Sequence, residues 1–257
     1  MRAIWTGAIG FGLVNIPIKI YSAIENSDLE LHLLDKKNHA GIKYQRINES
    51  TGKEVAWENI VKGYNYEGNF VELTEEDFDA ASPEKSKIID INEFVSETAI
   101  DAMYIDTPYY IEPQKNGEKP YALLQKALTE TKKVALGSFV MRTKENFCML
   151  KPIDNSLVLI KLRFPQEIRD TKDLKLPAKT TIKADELKMA KALIEQLSPK
   201  KFTIEKYKDT YSAALMKIIE KKAKGQTVKQ PKFKLAKAPK SDLMEQLKMS
   251  LKNKKAS

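Results

Sequence analysis

Short segments of alternating apolar and polar residues dominate the first two thirds of the chain. Isoleucine, valine, phenylalanine and tyrosine are frequent in residues 3–21, and the alternation is clear again in 42–47 and 87–95. Period-two stretches bounded by turn residues are typical of half-buried β-strands. The same criteria predict shorter strands at 70–73, directly before a small capped helix, and at 109–112.

A helix and three closely spaced strands are predicted next. The helix is indicated by apolar and small polar residues at helical spacing, with two lysines in its last turn: Tyr121, Leu124, Leu128, Thr131, Lys132 and Lys133. The strands are predicted at 134–142, 147–151 and 157–164. Strands so close together favour an antiparallel sheet or barrel over βαβ units.

From residue 184 the apolar period changes from two to about 3.6, the period of an α-helix. Helices are predicted at 184–197 and 204–224, and Gly225 is the expected residue just after the second. Residues 226–240 contain two prolines, five lysines and no acidic residue, which predicts a solvated basic linker. Ser241 and Asp242 then precede a last amphipathic helix.

Composition excludes several classes of protein. The 257 residues are 42% apolar and 31% charged, which is typical of a globular chain of one large or two smaller domains. No apolar run reaches the roughly 18 residues that cross a bilayer, and the start lacks the apolar segment of a secretory signal. One cysteine and two histidines argue against a disulfide framework and a structural zinc site. We therefore expect a cytoplasmic protein that contacts no membrane.

The net charge of +9 is distributed unevenly. Residues 1–114 carry a net charge of −10, residues 115–180 carry +7 and residues 181–257 carry +12. This polarisation favours a polyanion-binding surface built by the middle and the end of the chain. Solubility is the alternative interpretation, since lysine-rich tails are common.

A search for catalytic motifs finds none that favours an enzyme or a cofactor. Gly7, Gly10 and Gly12 lack the order of a dinucleotide-binding turn and fit a curved strand better. Asp173, Glu186 and Lys188 are of the residue types of a metal-dependent nuclease, but Glu186 and Lys188 fall on a predicted helix beyond a connecting segment. No Walker-type loop or nucleophile elbow is present.

The basic residues of the middle segment are the candidate DNA-binding residues. Because alternate residues of a strand share one face, such a sheet can present a row of cations to phosphates. A solvated sheet face is the alternative. The candidates are Lys132, Lys133, Arg142, Lys144, Lys151, Lys161 and Arg163.

Several motifs resemble, in order and spacing, those of the bacterial Ku proteins of DNA double-strand break repair. The resemblance runs nearly end to end and is carried by Arg2–Gly7, Phe11–Pro17, Ile60–Tyr64, Pro108–Pro113, Lys119–Leu124, Lys206–Tyr211 and Asp242–Met244. It implies an α+β fold with an antiparallel β-barrel core and extended strand arms, followed by a helical C-terminal region. The domains expected on this basis are a core with a DNA-encircling arm over 1–180, helices over 181–225, and the basic linker with the terminal helix over 226–257.

The resemblance also implies a function. The family binds double-stranded DNA ends without sequence preference as a ring-shaped homodimer, protects them in non-homologous end joining and recruits a multifunctional ATP-dependent DNA ligase. It is not itself an enzyme and needs no cofactor, and its place is the bacterial cytoplasm, associated with the nucleoid. Some relatives carry cysteines at the turn Asn48–Gly52, where this chain has none.

The segment 134–164 is long enough to supply a DNA-encircling arm. A metal-dependent end-processing nuclease and a chromatin-type architectural protein are the competing functions. The terminal helix is expected either to bind the ligase or to fold back on its own core, through Leu243, Met244, Leu247 and Leu251.

Overall fold

The computed structural model describes residues 1–81, 87–142, 144–177, 180–227 and 242–252. These residues form two compact units. The first contains residues 1–26 and the described residues of 30–170, and the second contains residues 27–29 and the described residues of 171–252. The chain boundary between them falls ten residues before the predicted domain boundary at 180.

Nine strands are present among the described residues of the first unit. Their bounds are β1 Trp5–Phe11, β2 Val14–Ser22, β3 Lys62–Tyr66, β4 Asn69–Leu73, β5 Ile88–Ser96, β6 Ile105–Pro113, β7 Lys133–Met141, β8 Lys144–Ile153 and β9 Ser156–Leu162. Seven of them close into a barrel in the order β1-β2-β6-β9-β8-β7-β5, and β3 pairs with β4 in a separate hairpin. Two helices accompany them, α1 Glu75–Ala81 and α2 Glu118–Thr131. The predicted barrel core is confirmed.

One seam of the barrel departs from the antiparallel expectation. Residues 8–10 of β1 pair in parallel with 88–90 of β5, whereas all other pairs are antiparallel. The chain leaves β2 at Ser22, makes a 65-residue excursion and returns along the far side of β1. A connection of that length is what permits two neighbouring strands to run in the same direction.

The segment 134–164 is not the source of an extended arm. Its strands β7, β8 and β9 are consecutive members of the barrel wall, with Ala135 opposite Leu150 and Leu150 opposite Leu159. The described residues of this segment are used for pairing within the barrel.

Apolar side chains from all seven barrel strands form the main core. Ile9, Ile16, Ile18 and Ile89 are fully buried there, and α2 adds Tyr121, Leu124 and Leu128. A smaller cluster, the second cluster, lies on the other face of β7–β9. It consists of Val134, Leu136, Met149 and Leu162. The near-continuous apolar pattern of these strands therefore reflects burial on both faces.

Two glycines in β1 and its turn show why the glycine motif is structural. A side chain at Gly7 would collide with the Lys87 carbonyl oxygen and the Trp5 ring at 2.2 Å. Gly12 lies in the turn to β2 with φ +58°, a conformation that favours glycine.

The excursion between β2 and β5 differs from the barrel in its burial, since none of the residues 30–81 is buried. The strand predicted at 42–47 is wrong, because only isolated bridges join Leu34 to Gly41 and Ile47 to Glu54. The strand predicted at 70–73 is confirmed within β4. Helix α1 begins after Thr74, whose backbone N–H donates to Asp77 Oδ2 at 2.8 Å.

The described part of the second unit contains three α-helices, α3 Ala184–Leu197, α4 Thr210–Ala223 and α5 Leu243–Lys252. The bounds of α3 match the prediction. Helix α4 starts six residues later than predicted, because the Asp209 carboxylate accepts from the N–H groups of Tyr211 and Ser212 and fixes the first turn there. Most of the predicted basic linker, residues 228–240, and the predicted cap residue Ser241 lie outside the described residues. Helix α5 lies against α3.

Candidate nucleic-acid interface

Three of the candidate cations lie around the end of α2. Lys132 adopts a left-handed conformation with φ 54° and turns the chain from α2 into β7, while its N–H bonds to the carbonyl oxygens of Leu128 and Thr129. Lys132, Lys133 and Lys151 line one surface groove of about 400 Å³, the lysine groove. The lysine groove also contains Glu97 and Asp154, so its basic character is partly compensated.

The lysines of the groove differ in their partners. Lys151 Nζ forms an ion pair with Glu97, and its side chain is only 29% exposed. Lys132 and Lys133 are exposed and have no ion-pair partner among the described residues. Lys132 and Lys133 are therefore the two groove lysines whose charge is available to a polyanion.

Lys161 and Arg163 lie together near the start of β6. Lys161 Nζ is 3.4 Å from Asp106 Oδ2, and Arg163 Nη2 is 3.4 Å from Asp106 Oδ1. Arg163 Nη1 also donates to the carbonyl oxygens of Met103, at 3.3 Å, and Ile105. These contacts connect the end of β9 to the start of β6, which is a structural role for the Arg163 guanidinium.

Arg142 and Lys144 flank the turn between β7 and β8. Both are exposed, and Arg142 has φ 64°. Neither has an ion-pair partner in the ranges that the structure describes. Their geometry fits contact with phosphate oxygens, which requires exposed cations rather than paired ones.

The seven candidates do not form one row. Lys133 begins β7 and Arg142 follows its end, so about 29–31 Å separates them at the rise of a strand. Lys151 shares the face of Met149 in the second cluster, whereas Lys161 lies opposite Cys148 and shares the face of the main core. The candidates therefore do not share one face of the sheet, and the exposed cations lie at the two ends of β7 and at the start of β8.

Sequence reasoning missed the exposed apolar surface of the excursion. Thirteen large apolar side chains between residues 30 and 81 are exposed, among them Tyr44, Trp57, Tyr64, Tyr66 and Phe70. The segment carries eleven acidic and six basic residues, a net charge of −5. The aromatic residues of 57–71 are the signal for it in the sequence, because a period-two pattern does not distinguish exposed from buried apolar residues. Exposed apolar surface on this scale is typical of an interaction site.

Two turns of the excursion are held by short polar side chains. Asp35 Oδ1 accepts from the Lys37 N–H at 2.7 Å, and Asn48 Oδ1 accepts from the N–H groups of Ser50 and Thr51 at 3.0 Å. Within the described ranges, no three histidine, cysteine, aspartate or glutamate side chains are placed to hold a metal ion. The turn Asn48–Gly52 thus folds on its own hydrogen bonds.

One of the two carboxylates considered for a nuclease has a structural contact. Glu186 Oε2 accepts from the Lys183 N–H at 3.0 Å at the start of α3. Asp173 lies in a single 3₁₀ turn, Thr171–Asp173.

Among the described residues, none of the helices has both the length and the apolar content that a membrane span requires.

Comparison with known proteins decides the family. The model of the Ku70/Ku80 beta-barrel domain matches residues 10–189, more than half of the chain. The chain belongs to the Ku family. Three curated relatives are named non-homologous end joining protein Ku. That of Coxiella burnetii is 38% identical over 98% of this chain and 95% of its own length. That of Pseudomonas aeruginosa is 43% identical over 88% of this chain and 78% of its own. That of Archaeoglobus fulgidus is 40% identical over 89% and 90%.

Membership of the Ku family accounts for the barrel and for the motif order seen in the sequence. The matched range ends within α3, so the family domain includes all seven barrel strands except the first residues of β1. The alignment with the Coxiella burnetii Ku protein extends over nearly the whole chain, C-terminal region included.

Proposed function

We propose that this protein binds the ends of double-stranded DNA without sequence preference and acts in non-homologous end joining. The observation that carries the proposal is similarity to proteins named non-homologous end joining protein Ku over up to 98% of the chain. The exposed cations Lys132, Lys133, Arg142 and Lys144 support it, because phosphate contacts give affinity without reading sequence.

End binding is tested by comparing topologies. A linear duplex and a closed circle of the same sequence are titrated in a gel-shift assay. We expect binding to the linear form and little to the circle, and an architectural protein would bind both equally. The variant Arg142→Ala with Lys144→Ala is expected to weaken binding to every sequence and to reduce the salt slope by up to about 1.8, at about 0.9 for each phosphate that is no longer neutralised. Arg142→Lys with Lys144→Arg keeps the charge and serves as the matched control.

The protein is proposed to act as a homodimer. The exposed apolar side chains of the excursion support this, since such a surface is stabilised when a second copy covers it. The β3–β4 hairpin presents Tyr64 and Val71 as directly paired neighbours on one face, both exposed. A two-stranded hairpin of this kind is marginally stable alone, which also favours a partner.

The terminal helix is proposed to recruit a multifunctional ATP-dependent DNA ligase. In α5, Leu243 is 55% exposed, while Met244, Leu247 and Leu251 are partly buried. We expect Leu247→Asp to abolish stimulation of the ligase while end binding is retained. Full stimulation by Leu247→Asp would overturn this part of the proposal.

We further propose that the protein has no catalytic activity of its own and works in the cytoplasm in association with the nucleoid. The alternative, a nuclease, predicts that labelled linear DNA is shortened in the presence of Mn²⁺ and that Glu186→Gln abolishes the reaction. The capping contact of Glu186 supports a structural role instead. We expect the labelled DNA to keep its length with the wild type and with Glu186→Gln.

A further inference from the structure

Helix α5 and helix α3 form a groove within the second unit. The groove has a volume of about 390 Å³. Met189 and Ala192 line it from α3, and Met244 and Leu251 line it from α5. The apolar side chains of α5 therefore already contact a surface of their own chain.

The contact uses the side chains that a partner would need. Leu243, Leu247 and Leu251 recur every four residues and form the apolar stripe of α5, with Met244 beside it. Leu251 and Met244 face the groove, and Leu247 is partly buried. One stripe of a ten-residue helix cannot lie against α3 and in the groove of a second protein at the same time.

The contact is also weak enough to be reversed. No residue of α5 is buried, so each apolar side chain keeps part of its surface in water. A helix of this length is marginal on its own and needs a surface to lie against. Helix α3 provides such a surface without enclosing α5.

We propose that α3 holds α5 in a closed state and that the ligase binds only after α5 has left α3. The inference rests on the proposed function, namely that α5 recruits the ligase. The apparent affinity for the ligase is then reduced by the fraction of molecules in which α5 is free. If the closed state predominates about tenfold, its removal increases the apparent affinity by about tenfold.

A release variant tests the closed state without altering α5. Met189→Asp places a charge in the groove, and Ile194→Asp makes the same change on the same helix at an exposed position that does not line the groove. We expect Met189→Asp to stimulate ligation of a linear duplex at a several-fold lower ligase concentration than the wild type and Ile194→Asp. Equal stimulation by all three proteins, each folded by circular dichroism, would overturn the proposal.

A locked variant tests it in the opposite direction. Met189→Cys with Lys248→Cys, a groove position of α5 outside its apolar stripe, is bridged across the groove by a bifunctional maleimide. The native thiol, Cys148, is buried and does not compete for the reagent. We expect the bridged protein to bind DNA ends normally and to lose most of its ligase stimulation, while each single-cysteine variant treated with the same reagent retains it. A bridged protein that stimulates fully would show that α5 acts without leaving α3.

Recruitment of the ligase through α5 and the closed state of α5 on α3 are disproved by different results. If Leu247→Asp stimulates fully, recruitment through α5 is wrong. If Leu247→Asp abolishes stimulation but the release and locked variants behave as the wild type, recruitment stands and the closed state is wrong.

Discussion

At the scale of single residues, Tyr121 connects three elements of the barrel. Its hydroxyl donates to the Ile111 carbonyl oxygen at 3.0 Å and accepts from the Leu157 N–H at 2.7 Å. The side chain therefore joins α2 to β6 and β9 inside the core. A buried hydroxyl that satisfies two backbone groups is expensive to remove, because both groups are then left without a partner.

We expect Tyr121→Phe to lower the free energy of unfolding by about 2 kcal/mol, the cost of unsatisfied buried polar groups. The measurement is urea unfolding followed by circular dichroism. Tyr110→Phe, at a position 46% exposed, is the matched control and is expected to change little. Equal stability of the two variants would contradict the role of the Tyr121 hydroxyl.

The buried thiol of Cys148 makes stability depend on pH. Burial raises the pKa of Cys148, so the thiol stays neutral in the folded protein while it ionises in the unfolded chain above about pH 9. A raised folded pKa means that the stabilisation is present below the unfolded pKa and is lost as pH increases. We expect the free energy of unfolding to fall between pH 8 and pH 10.

Cys148→Ala removes the ionising group and is expected to flatten this dependence, even though the smaller side chain lowers stability at every pH. Denaturant unfolding at pH 7, 8, 9 and 10 measures the slope. An unchanged slope in the variant would assign the effect to other groups, of which Tyr121, its pKa raised by burial, is the first to test at the upper end.

The candidate DNA-binding cations show that the sequence predicts exposure but not ion-pair partners. All seven basic residues that the sequence singled out are exposed or partly exposed. The sequence could not assign their partners, because Glu97 and Asp106 are more than 50 residues away from Lys151 and Arg163 along the chain. Ion pairing across a barrel depends on strand order, which local patterns do not contain.

We therefore expect Arg163→Ala to act on stability rather than on DNA binding. Removing its interactions with Met103, Ile105 and Asp106 is expected to cost about 1 kcal/mol, a modest value because the side chain is 39% exposed. Arg169→Ala, at an exposed position, is the control. If Arg163→Ala leaves the melting temperature unchanged and greatly decreases the DNA affinity, this assignment is wrong.

At the scale of elements, the period of apolar residues predicted the bounds of helices and strands that depend on local sequence. Helix α3 has the predicted bounds, and β7, β8 and β9 begin and end within a few residues of the prediction. The failures have physical causes. Residues 42–47 alternate as a strand does, yet have no neighbouring strand beyond isolated bridges, and pairing is a property of two segments.

The β3–β4 hairpin is the element on which dimer formation is expected to depend. Tyr64→Ser with Val71→Ser removes apolar surface from one face, and we expect the dimer dissociation constant to increase by at least about tenfold, since two exposed apolar side chains are removed from each copy. Sedimentation equilibrium measures it. Glu72→Ser, at an exposed position on the other face of the hairpin, is the control. Unchanged dimerisation in the double variant would show that the second copy does not cover this face.

At the scale of the whole molecule, charge is polarised along the chain. The excursion is acidic and apolar, while residues 181–257 carry a net charge of +12. The sequence predicted this polarisation and left open whether the terminal helix binds a partner or its own chain, and in the structure α5 lies against α3. Whether the apolar stripe of such a short helix packs against another helix of the chain depends on tertiary contacts, which composition does not determine.

Truncation after Lys224 is expected to separate DNA affinity from folding. Residues 225–257 contain nine lysines and two acidic residues, and α5 buries no side chain, so the barrel is expected to melt as before. The salt slope of DNA binding is expected to decrease by about 0.9 for each phosphate that the tail neutralises in the full chain. Calorimetry and gel shifts over a range of salt concentrations measure the two effects. A large decrease in the melting temperature would show that the tail supports the fold.

The parallel seam between β1 and β5 has a consequence for how this barrel varies in evolution. The strands that meet there are separated by the β1–β2 hairpin and the 65-residue excursion, so the barrel closes only when two distant parts of the chain come together. The entropy of closing such a loop grows only with the logarithm of its length, and halving or doubling it changes the free energy by about 0.6 kcal/mol. Insertions and deletions in the excursion are therefore nearly neutral for the barrel, and this segment is free to diverge with whatever it contacts.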